Sequence, residues 1–548
     1  MEKKKTFECK RKWFYLVVVF GAFVFCSIGL PAYGQSSTSY DDLVKLHQDF
    51  LAQRRPAMVE GVPDYTPAAI EARKKALEDF RKRLAAIDAS GWPVPQKVDY
   101  LLVKAELNSL DFDLRVIRSW ERDPGLYTDS IRRIPYVDFP LKDEDLKNFA
   151  VRLKAVPKIL EQGKNNLKNA SGELARIAIF HLEHSDGVNQ GEPIRPSVPE
   201  GALGWYQDLI QQLTKHHPKL VNDAKQALVA VRSFNDWLKQ NESKMTEPAY
   251  LGMENYAWFV KNVRLMAFTI EEVKFVAEQE WNRTMTFLRI EEHKNRNLPK
   301  LEPAKTEAEH ERRVREAETL IRTFVKEHKL LTMPDDIPPQ FDTDARWFVR
   351  PSGKLHFWEE LTYRDPLNNH IHASIPGHRY DSVMHRRDKR PIRGTYSDSG
   401  RAEGWAFYLE EMFLQAGLLD ERPRTRELFY IAQLARALRI ITELKMQSGE
   451  MTFDEAIKYM VKEVPLMEEN LARYDLEGYM RRPASGMVYT IAKAQFEQVL
   501  ADRARQLGDK FDLGKFHDEF FAVGTIPISL IRWELTGLDN EVKEFWKK

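Results

Sequence analysis

PAAIEARKKALEDFRKRLAAI (67–87) and LVNDAKQALVAVRSFNDWLKQ (220–240) decide the fold class. In both, apolar residues recur at intervals of three and four, the spacing that lines one face of an α-helix. Thr66 stands immediately before the first stretch and Pro218 shortly before the second, both residue types that mark helix starts. The same pattern, broken by short Pro-containing segments, fills residues 40–330. Thr269 is followed three residues later by Glu272, and Thr452 by Glu455, which is the spacing of a capping box. Strand-like alternation is scarce, and charged runs such as KTEAEHERRVREAETLIRTFVKEHK (305–329) read as solvated helix faces. The expectation is a large, mainly α fold.

Working outward, a Pro- and Asp-rich break, TMPDDIPPQFDTD (332–344), interrupts the helical pattern. It is followed by RWFVRPSGKLHFWEELTYRDP (346–366), whose aromatics and turn residues suggest short strands or extended chain near residues 345–365. A helical lobe is therefore expected over 35–335 and a second over 336–548. No repeat of fixed period and no low-complexity tract is visible.

The chain opens with Lys3, Lys4, Lys5, Lys10, Arg11 and Lys12, then runs through WFYLVVVFGAFVFCSIGL into PAYGQ, with small residues at Ala32 and Gly34. That order is a secretory signal over 1–34, with a cut expected after Gly34 and an exported, periplasmic or extracellular product. The rival reading is an uncleaved anchor, since the apolar run approaches the roughly 18 residues that span a bilayer. Lipid modification at Cys26 fits less well, because the preceding FVF is bulky. Both cysteines, Cys9 and Cys26, lie in this segment, so the mature protein has neither disulfides nor thiolate ligands to use. Removing the six basic and two acidic residues of positions 1–34 from 83 Lys+Arg and 82 Asp+Glu leaves a net charge near −3. Such a balance argues against a nucleic-acid partner, and no segment beyond the signal is apolar enough to hold the protein in a membrane.

Histidines cluster in NHIHASIPGHRYD, at His370, His372 and His378. Without cysteines, a metal site must draw on His, Glu and Asp. Residues six apart on an ideal helix point about 120° away from each other, so Pro376 and Gly377 would have to bend the chain to bring His378 round to His372. The bland alternative is a helix-end turn with incidental histidines. RAEGWAFYLEEM follows, and its Glu403 and Glu410 are seven apart, on one helix face two turns from each other. One can ligate a metal while the other accepts a hydrogen bond from a ligating histidine; two solvated glutamates beside an aromatic stripe is the competing reading.

These segments resemble a known family, the domain of unknown function numbered 885, which is grouped with zinc metallopeptidases. Its hallmarks are H-E-x-x-P-G-H-H, then E-G-W-A-x-Y-x-E, then Y-x-x-G-K, G-D-K-F-D-L-x-x-F-H-D and G-x-x-P-L. This chain has HASIPGHR (372–379), EGWAFYLE (403–410), YTIAK (489–493), GDKFDLGKFHD (508–518) and GTIPI (524–528), and LGMENYAWFVKNVRLMAFTIEEV (251–273) also looks like the family's helical half. The resemblance implies a single zinc ion held by His372, His378 and Glu403, with an open place for water or substrate. It also implies a two-lobed helical fold around a cleft, walled on one side by the extended stretch, with Tyr489 and His517 facing it to steady an oxyanion or hold substrate polar atoms. Core packing is the alternative for those two residues. Glu410 is the expected supporting carboxylate, and a peptide is the expected substrate or ligand.

Three positions depart from the family pattern: Ala373 replaces the general-base glutamate, Arg379 the last histidine, and Ala492 a glycine. A positioned general base is typically worth a factor of about 10² to 10⁴, so a stand-in is needed, with Glu410, Asp381, Glu360 or His370 as candidates. The sequence thus supports two readings: a metal-dependent peptide hydrolase with a relocated base, or a non-catalytic descendant that binds a peptide or a protein partner.

Overall fold

A computed structural model describes residues 39–185, 195, 197–341, 347–348 and 354–546. The signal segment with Cys9, Cys26 and the cut after Gly34 lies outside the described residues, as do parts of the break and of the stretch expected to be extended. The described chain is mainly α, and its one sheet is a two-residue hairpin pairing Met58–Val59 with Val62–Pro63. Glu60 and Gly61 join those strands with positive φ at both positions, 51° and 82°, as a tight two-residue turn of that hand requires.

The two stretches that decide the class are helical as expected, over Pro67–Ala85 and Val221–Asn241. Ile70, Leu77, Phe80 and Leu84 of the first are its buried residues. The capping boxes are present at Thr269 and Thr452, each hydroxyl accepting from the backbone N–H of the paired glutamate. No described helix is long and apolar enough to cross a membrane.

One expectation is corrected. Within the stretch taken as extended, Phe357–Arg364 is a helix. Its start is capped by an unusual residue: the His356 imidazole accepts from Trp358 N at 3.1 Å and Glu359 N at 3.3 Å, while Glu359 accepts from His356 N at 3.0 Å. Histidine here does what Ser or Thr does in an ordinary capping box.

Ser39–Lys548 form one compact unit. Its larger core takes residues from Leu43 through to Phe545 and so runs on both sides of residue 335. A smaller core is built within 62–238 from helices that include Asp143–Asn166, Gly172–Glu183 and Val221–Asn241. A buried charge cluster joins the two. His181 of the smaller core meets Glu477 of the Glu469–Arg481 helix. Arg481 reaches back to Asp123 at 2.7 Å and Asp129 at 2.8 Å, and bonds Glu477 at 2.8 Å.

The helix Pro423–Gln447 runs through the larger core with nineteen of its side chains buried. A helix buried nearly all round is ordinarily apolar, yet this one carries Gln433, Arg436, Arg439, Glu443 and Gln447 at steps of three and four residues. All five are buried. They form a polar stripe along a single face, and the candidate site is built against it.

Candidate metal centre

His372 and His378 sit on different helices. Leu367–Ala373 carries His372 in its last turn, and His378–His385 opens with His378. The chain reverses between them at Ser374–Gly377, where a Cβ on Gly377 would fall 1.8 Å from the His372 carbonyl oxygen. Only glycine permits that approach. A third helix, Ser399–Gln415, brings Glu403. Two residues on, Trp405 donates its indole N–H to the Pro376 carbonyl at 2.9 Å, fastening the turn to the glutamate's helix. Gly404 lies between them in sequence, and a Cβ there would meet the Ala492 Cβ at 2.7 Å, so the Thr490–Leu507 helix can pack closely alongside.

The outcome is a triangle of three donor atoms. His372 Nε2 and His378 Nε2 are 3.2 Å apart, and Glu403 Oε2 is 3.4 Å from the first and 3.3 Å from the second. A tetrahedral zinc with ligand bonds of about 2.0–2.1 Å spaces its ligand atoms by about 3.3–3.4 Å, so the edges fit. Glu403 Oε2 is buried, and the two imidazole nitrogens are its neighbours in the triangle. Two ring nitrogens and a carboxylate oxygen converging within 3.4 Å of one another are the donor set a divalent cation satisfies. Burial pushes the Glu403 carboxyl up, but the two imidazoles outweigh it and hold it well below the usual carboxylate range.

Behind His372, its Nδ1 lies 2.6 Å from Glu410 Oε1. Glu410 is fully buried, and its Oε2 accepts from Asn368 at 3.1 Å, Gln433 at 2.8 Å and Arg436 at 3.1 Å. Burial would raise this carboxyl too; the Arg436 charge and the bonds from His372 and Asn368 keep it lowered. An ionised Glu410 keeps the His372 proton on Nδ1, leaving the Nε2 lone pair to face the triangle.

Tyr489 reaches the site, its hydroxyl donating to Glu403 Oε1 at 3.3 Å. His517 is placed elsewhere. It is fully buried, Nδ1 donates to the Leu330 carbonyl at 2.6 Å, and Nε2 accepts from the Tyr408 hydroxyl at 3.1 Å. Burial pulls its pKa down to about 4, so the ring is neutral, and it packs 5.2 Å from the Trp405 ring. These contacts fit the packing alternative. The stand-ins for a base are each held by another group: Asp381 by Arg401 at 2.5 Å, Glu360 by Arg364 at 2.6 Å, His370 by Glu318, and Glu410 as above. Ala373, buried at the end of its helix, offers no proton acceptor. Sequence reasoning missed Asn368, Gln433, Arg436 and Trp405; polar residues recurring at three- and four-residue steps over 433–447 are the signal that could have found Gln433 and Arg436.

Fold and site together define a mainly α protein with a candidate two-histidine, one-carboxylate centre. The chain belongs to the family described as bacterial protein of unknown function (DUF885), whose model matches residues 56–293 and 362–535. Among solved structures it is similar to a "putative lipoprotein of unknown function" from Shewanella oneidensis, at 18% identity and a TM-score of 0.70 over 91% of this chain and 99% of that one. It is also similar to a "putative lipoprotein" from Colwellia psychrerythraea, at 15% identity and a TM-score of 0.66 over 91% and 99%. At those identities the likeness is one of fold. No curated protein matches the chain.

Proposed function

We propose that this is an exported zinc protein of metallopeptidase type, which engages peptides through a carbonyl at the open position of the centre and hydrolyses them slowly. The observation that carries the reading is the triangle of His372 Nε2, His378 Nε2 and Glu403 Oε2, with edges of 3.2 to 3.4 Å and Glu410 fixed behind it. A bound zinc ion supplies Lewis acidity toward a peptide carbonyl. The residues do the rest: Glu410 sets the His372 tautomer, and Trp405 and Gly377 hold His378 in place. Slow turnover follows from Ala373 together with the prior commitments of Glu410, Asp381, Glu360 and His370. Export is supported by the basic-then-apolar opening of the chain, and the similar structures are themselves described as lipoproteins.

The test is metal analysis of the mature protein, then incubation with a mixed peptide library with and without chelator. One zinc per chain with weak, chelator-sensitive cleavage is expected, and no cleavage at all would leave the non-catalytic, peptide-binding reading. No zinc after metal loading would end the proposal. Rapid, chelator-sensitive cleavage that disappears in Glu403→Ala would replace slow hydrolysis with an efficient peptidase, the reading favoured by the intact ligand set and by Tyr489 at Glu403. Glu410→Gln should weaken zinc binding by about 10- to 100-fold, the usual cost of removing a partner that orients a ligand. Chelator competition reads this out, and unchanged affinity would mean that His372 is oriented without it.

A further inference from the structure

Tyr489 bonds one oxygen of Glu403 while the other makes the ligand triangle. Oε2 is the triangle atom, and Oε1 is the one that accepts from the tyrosine at 3.3 Å. A carboxylate can ligate through one oxygen or both, and a hydrogen bond on one favours the first mode. Two successive turns of the Pro423–Gln447 helix seat this tyrosine. Arg439 lies over its ring, 4.5 Å from the centroid, a cation-on-ring contact that fixes where the ring sits. Arg439 is 5% exposed, and its guanidinium is held by Asp475 through bonds of 3.1 Å from Nε and 2.7 Å from Nη2. One turn on, Glu443 accepts the backbone N–H groups of Ser485, Gly486 and Met487 at 3.0, 2.9 and 3.1 Å, anchoring the segment that leads into Tyr489. The ring and its backbone are thus fixed independently, from one rigid rod.

From this geometry we infer that Asp475 and Arg439 form a brace for Tyr489, whose hydroxyl holds Glu403 to one-oxygen ligation and so keeps a coordination position open for substrate. Arg439 and Asp475 are positioning residues, since neither touches the ligand atoms. The inference rests on the metal reading above, and it adds that the open position is maintained by a tyrosine rather than by crowding.

The experiment measures zinc affinity by chelator competition, and the visible absorption of the cobalt(II)-loaded protein, which reports coordination number. It compares the unaltered chain with Tyr489→Phe, Arg439→Gln, Arg439→Lys and the double variant Tyr489→Phe/Arg439→Gln. Tyr489→Phe removes only a hydroxyl, so its reading does not depend on refolding a disturbed core. Expected are a roughly 10-fold or greater change in affinity for Tyr489→Phe, a cobalt spectrum shifted toward higher coordination, a similar change for Arg439→Gln, and no further change in the double variant. Arg439→Lys, which keeps the charge over the ring, should recover part of the loss. Unaltered affinity and spectrum in Tyr489→Phe overturn the one-oxygen clamp, and unaltered values in Arg439→Gln alone overturn the brace. Failure of the unaltered chain to bind either metal instead defeats the metal reading on which both rest.

Discussion

Ala373→Glu is expected to raise peptide cleavage by about 10² to 10⁴-fold, the range that a positioned general base contributes. Position 373 directly follows His372 and closes the Leu367–Ala373 helix beside the triangle, and its side chain is 3% exposed. The stand-ins named from the sequence are committed elsewhere: Glu410, Asp381 and Glu360 are each engaged with an arginine, and His370 with Glu318. Ala373→Gln is the matched control: it adds the same bulk without a group that accepts a proton at neutral pH. The gain should therefore appear with glutamate alone, disappear with chelator and leave zinc content unchanged. Equal rates for the glutamate variant, the glutamine variant and the unaltered chain would show that position 373 does not address the scissile bond.

Arg481→Met should lower the unfolding free energy by about 3 kcal/mol, at the lower end of the range for removing one partner from a buried ion pair, since the guanidinium is partly exposed. Arg481 serves Asp123, Asp129 and Glu477 together, and its loss leaves acidic groups facing one another between the two cores. Chemical denaturation measures the effect, and a change below about 1 kcal/mol would show that the cluster is not holding the cores together. Acid adds a second readout. Burial pushes the Glu477 carboxyl up, but the bond and charge of His181, with Arg481 and Arg132, bring it down to about 2. A lowered carboxyl stabilises the fold above its unfolded value of 4.5, and that contribution is lost as pH falls toward 2. Without Arg481 the carboxyl rises, so acid unfolding should begin at higher pH.

The long helices were legible because their period is local: Ile70, Leu77, Phe80 and Leu84 mark the buried face of Pro67–Ala85 in the bare sequence. Thr269 and Thr452 were legible for the same reason, their partners lying three residues away. The Phe357–Arg364 helix was not, because imidazole is a rare cap and the aromatic run around it imitates a strand. At the site, the family motifs named His372, His378 and Glu403, and the spacing asked for a bend at Pro376 and Gly377, which the close approach of Gly377 to the His372 carbonyl provides; the tether from Trp405 to Pro376 is a long-range fact that no spacing rule contains. His517 shows the opposite limit. A motif position identified the residue, yet bonds to Leu330 and Tyr408, distant in sequence, set its surroundings.

The indole tether from Trp405 to the Pro376 carbonyl has an implication for how an ion comes and goes. Protein groups close the turn that carries His378, so on the proposed zinc reading the donor atoms would be arranged before an ion bound, and little conformational entropy would remain to be lost on capture. Metal and folding are then coupled only by mass action, with added stability growing as the logarithm of free ion over its dissociation constant. Stripping the ion should leave an intact helical body that reloads without refolding, in contrast to zinc fingers, whose apo chains have no structure to return to.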